Sequence, residues 1–218
     1  MSNMKIVLTG DTHNLEGEVF WQNIAKEKPD LVVHAGDWTM DSSEIEDALN
    51  RAKMNMKGKQ HVLTVLGNHD YWIRPPFDRD IKTLDEGRAD RFGGHFHRIE
   101  GRVERLGECS IAGFMGWYKE VWPFNVTNDH KFVSQSNWEC LQALSDIALQ
   151  RIMDHDGKID LLVTHFPLST SEAKLLSQKV KRVLIGHWHE PVDAEWFGMR
   201  IINTCSNYHQ PIYKVLEI

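Results

Sequence analysis

Cysteine is scarce: the 218 residues include only Cys109, Cys140 and Cys205, far apart and without a C-x-x-C pair. That excludes a disulfide framework, a zinc knuckle and a dithiol redox centre, and it points to a reducing compartment. Long apolar runs are missing too. Nothing approaches the about 20 apolar residues of a membrane-spanning helix. The N-terminus passes from Met1 through Lys5 straight into the short run Ile6-Val7-Leu8, with no cleavage signal. The expectation is a cytoplasmic chain with no membrane partner. Basic charge is in deficit, with 25 Lys+Arg against 31 Asp+Glu and a formal net charge of −6. Non-specific duplex DNA binding, which rests on many Lys/Arg–phosphate contacts, is therefore not expected, and any phosphate chemistry has to come from a local site. Repeats, low-complexity tracts and linkers are absent, so the chain reads as one domain spanning 1–218. Two residue types are abundant instead: 12 His and 8 Trp.

Apolar periodicity alternates short strands with amphipathic helices. Strands are expected at 5–9, 31–35 and 62–66. A helix over 16–28 should turn Val19, Phe20 and Ile24 inward, and one over 42–56, capped by Ser42 or Ser43, should bury Ile45, Leu49, Ala52 and Met56. This βαβαβ opening implies an α/β fold with a parallel sheet. Farther on, a helix is expected at 80–92, and strands at 96–106 and 109–114 form a hairpin around Gly107-Glu108. Residues 116–136 show no period. A helix at 137–153, a strand at 159–164, a helix at 171–179 and strands at 183–185, 192–197, 200–204 and 212–216 complete the chain.

The chemistry lies at the ends of the strands. Five apolar runs finish in Asp11-Thr12-His13, Asp37, Asn68-His69-Asp70, His165 and His187-Trp188-His189. In a parallel sheet such ends line one edge, where clefts form. Several follow a glycine, which lets the backbone leave the strand sharply. Asp11 and His13, like His187 and His189, stand two apart and so can project to one side. Together Asp11, His13, Asp37, Asn68, His165, His187 and His189 offer three oxygen and four imidazole donors. Such a mixture suits Mn, Fe or Zn better than Ca or Mg. Seven donors exceed one tetrahedral site but suit two metals sharing a carboxylate, and Asp37 is the natural bridge. Any one of these motifs alone would more simply be a core or surface residue; five in order, each at a strand end, are not a chance pattern.

These D-x-H, G-D, G-N-H-D, H and G-H-x-H blocks resemble the calcineurin-like metallophosphoesterase superfamily, from Asp11 to His189. The resemblance implies a four-layer α/β/β/α sandwich of two mixed sheets flanked by helices, with a dinuclear metal centre at the strand edge. It implies that Asp11, His13, Asp37 and His189 hold one divalent ion and Asp37, Asn68, His165 and His187 the other, manganese being the first choice and Fe, Zn or Ni the others. It further implies a phosphodiesterase or small-molecule phosphatase using hydroxide on the metals for in-line attack. His69 then faces the leaving group, and Asp70 stands ready to orient its imidazole. The G-D-x-V-D-R-G and G-N-H-E forms of Ser/Thr protein phosphatases are absent, which makes that activity a minor alternative. Asn14 stands where many members have glycine. Some relatives of this fold are silent interaction scaffolds, but here every ligand block is intact. The β-lactamase-like metallohydrolases fail on motif order. Asn68, Trp72, Arg74 and Trp188 are the candidate substrate contacts, the two indoles as walls against a nucleotide-like small phosphoester. Rings such as Trp38, Tyr71 and Trp117 more simply fill space.

Overall fold

The structure is a computed structural model and describes residues 4–15, 17–56, 61–72, 82, 96–116, 133–204 and 211–218. Its strands are β1 (Lys5–Thr9), β2 (Leu31–His34), β3 (His61–Thr64), β4 (Phe96–Arg98), β5 (Arg102–Leu106), β6 (Cys109–Phe114), β7 (Leu161–Thr164), β8 (Arg182–Ile185), β9 (Val192–Trp196), β10 (Met199–Asn203) and β11 (Tyr213–Glu217). Its helices are α1 (Glu18–Lys26), α2 (Ile45–Asn55), the single turn α3 (Asn68–Tyr71), α4 (Gln135–Asp154) and α5 (Thr170–Leu176).

Two mixed sheets result. The first runs β11-β1-β2-β3-β4, with β1 to β4 parallel and β11 antiparallel at the edge. The second runs β5-β6-β7-β8-β10-β9, with antiparallel strands at both edges. Side-chain parity sorts the layers, because successive strand residues face opposite sides. Val7, Val32 and Val62 pack outward onto Phe20, Trp21 and Ile24 of α1 and Ala48 and Ala52 of α2. Ile6, Leu8, Leu31, Val33 and Leu63 face inward onto Ile111, Leu161, Val163, Leu184 and Ile202 of the second sheet. That sheet's other face carries Ala112, Leu162, Val183 and Ile201 against Ala148 and Ile152 of α4 and Ala173 and Leu176 of α5. The layers are therefore α/β/β/α, as the family resemblance implied. Among the described residues no helix is long and apolar enough to cross a membrane.

Several local expectations change. The run 96–106 is two strands. β4 joins the first sheet beside β3, the chain turns at Gly101 with φ +66°, and β5 opens the second sheet as a hairpin with β6. A Cβ on Gly101 would approach the Ala148 backbone to 3.0 Å, so both conformation and space demand glycine there. In α1, Val19 is 65% exposed and Trp21 takes the inward place, because residues 20, 21 and 24 share the buried face. The α2 region begins with a 3₁₀ turn at Ser42–Glu44 capped by Asp41, whose carboxylate accepts from the Ser43 backbone N–H; neither serine is the cap. Ser134 caps α4, which begins at Gln135, two residues before the expected start, and Ser169 caps α5 through a reciprocal pair with Glu172. Nearly all of the expected helix at 80–92 and of the stretch 116–136, together with Cys205 and Arg74, lies outside the described residues.

Candidate metal centre

The parallel strands deliver the polar residues to one place. Past the end of β1, the Asp11, His13 and Asn14 backbone N–H groups donate to the carbonyls of Gly36, Asp37 and Trp38 at 2.8–3.0 Å. The two loops therefore stay laced together beyond their sheet. Asp11, His13, Asn14, Asp37 and His187 all adopt positive φ, between 47° and 64°. Non-glycine residues in that region are uncommon and cluster at functional sites. Of the glycines that precede these blocks only Gly36 takes positive φ, so the sharp turns belong mainly to the functional residues themselves. Asn14 replaces glycine without conflict because asparagine tolerates the left-handed region. At His187 the Trp188 N–H donates back to the Gly186 carbonyl at 2.7 Å, a tight three-residue turn around a positive φ, which is a strained form.

Three groups of side-chain donors converge, the atoms of each within 4.8 Å of one another: Asp11 with His13 and His189, His13 with Asp37 and His69, and Asp37 with His165 and His187. Asp37 Oδ2 lies 3.4 Å from His165 Nε2 and 3.7 Å from His13 Nε2, between the two outer groups. Asn68 Oδ1 lies 2.8 Å from His165 Nε2 and 3.2 Å from His187 Nδ1. All seven expected donors are thus gathered, and His69 stands beside them.

The chemistry of this set fits cations. His165 Nδ1 faces the Ala35 carbonyl at 2.9 Å, so in the neutral ring it donates there and Nε2 presents a lone pair to the Asn68 and Asp37 oxygens. Lone pairs gathered so closely repel unless a proton or a metal ion lies among them. Burial opposes the proton. It holds His165 and His13 well below the ordinary histidine value, helped by neighbouring imidazoles, and lowers His187 to about 3 and His69 to about 4. Neutral imidazoles beside two buried carboxylates, Asp11 and Asp37, are a ligand set for divalent ions.

The surrounding contacts include two residues whose role the sequence did not disclose. Asp70 was expected to orient His69. Instead its carboxylate accepts from the backbone N–H groups of Asp37, Trp38 and Gly67 at 2.9–3.0 Å, pinning the loop after β3 to the loop after β2. His69 Nδ1 faces the Met40 carbonyl at 3.2 Å, and its ring lies over Trp72 with centroids 3.6 Å apart. Gly67 is small for a reason: a Cβ there would strike the Asp37 carboxylate and come within 2.6 Å of the His165 ring. The second residue is His34, fully buried. Its Nδ1 accepts from the Gly36 N–H at 3.1 Å, its Nε2 meets the Thr12 hydroxyl at 3.3 Å, and its ring stacks on Trp38 at 3.7 Å. The only sequence signal for it was a polar residue between the apolar run Leu31-Val32-Val33 and Ala35. Of the aromatics, Trp38 is core, donating to the Thr64 hydroxyl, and Tyr71 is buried. Trp72 and Trp188 remain half-buried.

Solved structures share this architecture. A phosphopantetheinyl hydrolase from Mycobacterium tuberculosis superposes with a TM-score of 0.66 at 14% identity, over 100% of this chain and 96% of that one. A dimetal phosphatase from Danio rerio gives 0.59 at 14% identity, covering 100% and 93%. A protein from Thermus thermophilus gives 0.57 at 12%, covering 99% and 99%. At these identities the likeness is one of fold. No curated protein sequence matches the chain. The calcineurin-like phosphoesterase model matches residues 4–191, a stretch that holds every strand end from Asp11 to His189. By that match the chain belongs to the calcineurin-like phosphoesterase family.

Proposed function

We propose that this chain, working as one catalytic unit, is a dinuclear metal-dependent hydrolase of small phosphoesters, either diesters or monoesters. The observation that carries the proposal is the sharing of Asp37: its carboxylate belongs both to the donor group with His13 and to the one with His165 and His187. Asp11, His13, Asp37 and His189 would hold one ion, and Asp37, Asn68, His165 and His187 the other, with manganese as the first candidate. Such ions, when bound, polarise a phosphoryl oxygen and lower the pKa of a shared water.

The protein's own contribution is positioning. Asp70 fixes the backbone that carries Asp37, and the His69 N–H donates to Asp37 Oδ1 at 2.9 Å, orienting that carboxylate. The His187 N–H donates to both oxygens of Asp11 at 2.9 and 3.0 Å, tying the second sheet's ligand loop to the first's. With His69 Nδ1 donating to the Met40 carbonyl, Nε2 is the ring atom left to face the leaving-group oxygen, and it stabilises that oxygen's charge only when the ring carries its second proton. Asn68 stands where a phosphoryl oxygen arrives, and the half-buried face of Trp72 over His69 gives a wall for the group the ester carries. Two acidic ligands against two divalent cations leave a locally positive site within a net-negative chain, which attracts an anionic ester.

The test compares a generic phosphomonoester with a generic diester across Mn²⁺, Zn²⁺, Fe²⁺, Ni²⁺ and Mg²⁺. Turnover that EDTA abolishes and Mn²⁺ restores is expected. An inactive protein after reconstitution with every ion would return the chain to the scaffold class.

A further inference from the structure

Outside the donor cluster, the structure holds a cavity of about 350 Å³ bounded by the start of α5 and the outer face of β8, β10 and β9. Leu168, Ile185, Ala194, Trp188, Trp196 and Ile201 form most of its wall, and Thr170 and Glu195 are its polar members. The size lies within the range of small-molecule sites. The cavity's wall residues neighbour the proposed centre's donors along the chain. Pro167 in the wall follows His165 by two residues, Ile185 precedes His187 by two, and Trp188 stands between His187 and His189. Every segment that brings a histidine from the second sheet to the centre thus runs directly into the pocket wall.

The rim carries a second observation. Trp196 is 37% exposed, and it leads into a two-residue turn in which Phe197 has φ +49° and Gly198 φ +75°. Asparagine, aspartate or glycine ordinarily takes the first place in such a turn, and a bulky aromatic there is strained. Phe197 is itself 40% exposed and outside the core, so core packing does not account for it.

We infer that this pocket receives the apolar part of the phosphoester, an alkyl or aryl group attached to the phosphate, while the donor cluster holds the phosphate itself. The inference rests on the hydrolase reading above and narrows its substrate class to amphiphilic esters. An apolar group entering such a wall gains by leaving water, in proportion to the length buried.

The experiment uses the Mn²⁺-loaded full chain and the n-alkyl 4-nitrophenyl phosphates from methyl to octyl. In the wild type kcat/KM should rise by about threefold for each methylene buried, reaching about 250-fold over the five methylenes between the methyl and hexyl esters. Ala194→Phe fills the pocket from an exposed strand position, and in it the hexyl-to-methyl ratio should fall to near one. Ala194→Asp, which places a charge there, should do the same and serves where the phenyl packs poorly. An independent readout is the fluorescence of the neutral probe N-phenyl-1-naphthylamine. It should bind the wild type saturably, be displaced by octanol, and fail to bind either variant. A wild-type ratio near one, or the same ratio in all three proteins, would overturn the subsite while leaving the hydrolase reading in place. Absence of hydrolysis across the whole series would overturn the subsite, and absence with the monoester 4-nitrophenyl phosphate as well would bring down the hydrolase reading too.

Discussion

The two sheets reach the candidate centre in different ways. From the first come Asp11, His13, Asp37 and Asn68, each at most 4% exposed, on loops tied together by backbone hydrogen bonds, by the Asp70 carboxylate and by His34. From the second come His165, buried against Ala35, and then His187 and His189, half-buried on a loop that leads to the open edge strand β9. Rigid placement of a donor requires that its backbone be fixed as well as its side chain. The first sheet supplies the fixed frame, and the second supplies the more exposed side.

The sharpest way to break this contrast is Asp70→Asn. An amide cannot accept three backbone N–H groups as a carboxylate does, and one buried end would face donors with a donor. A loss of about 3 kcal/mol in urea unfolding and about 100-fold in turnover is expected; an unchanged unfolding midpoint would remove Asp70 from the frame. Next is His34→Leu, which strands the Gly36 N–H and leaves the Thr12 hydroxyl with the Trp38 carbonyl alone, and should cost about 1–2 kcal/mol by the same measurement. His189→Ala probes the other side. The metal-free protein should melt within about 2 °C of the wild type, as for other partly exposed substitutions, while Mn²⁺ affinity at one site drops by at least about tenfold. A large loss of apo stability would show that the more exposed side is as much frame as the other.

The smallest effect belongs to Asp193, far from the frame, which pairs with Arg200 of β10 at 2.8–2.9 Å and with Lys214 of β11. Hydrogen bonds from both cations hold its carboxyl well below the ordinary range. Its contribution is therefore present above the ordinary carboxylate pKa and is lost as pH falls through that value toward the lower folded one. Because the pair is exposed, Asp193→Asn should lower the melting temperature by less than about 2 °C at pH 7, and the difference should shrink at pH 3. A difference that grows on acidification would contradict this.

Much of the candidate centre was readable because each donor block ends an apolar run, and a polar residue at such a place has no packing reason to be there. The partition into two sheets was less readable. Ile6, Val7 and Leu8 are all apolar, since both faces of β1 are covered, and parity then says nothing about which partner each one meets. The same ambiguity hid the break at Gly101, where alternation continues from β4 into β5 although the strands join different sheets. Asp70 was misassigned because adjacency to His69 suggested a side-chain pair, whereas a one-turn helix aims its carboxylate back at the loop backbone. The left-handed conformations at Asp11, His13, Asp37 and His187 leave no mark in residue type, since nothing but glycine announces positive φ reliably.

The account turns on Asp37 as the residue shared by two ions. Equilibrium dialysis with Mn²⁺, read by inductively coupled plasma mass spectrometry on the wild type and on Asp37→Asn, tests it directly. The account predicts two ions per wild-type chain, and a variant that keeps its fold by circular dichroism but binds both at least about tenfold more weakly. One ion or none in the wild type, or two ions held as tightly by Asp37→Asn, would contradict it.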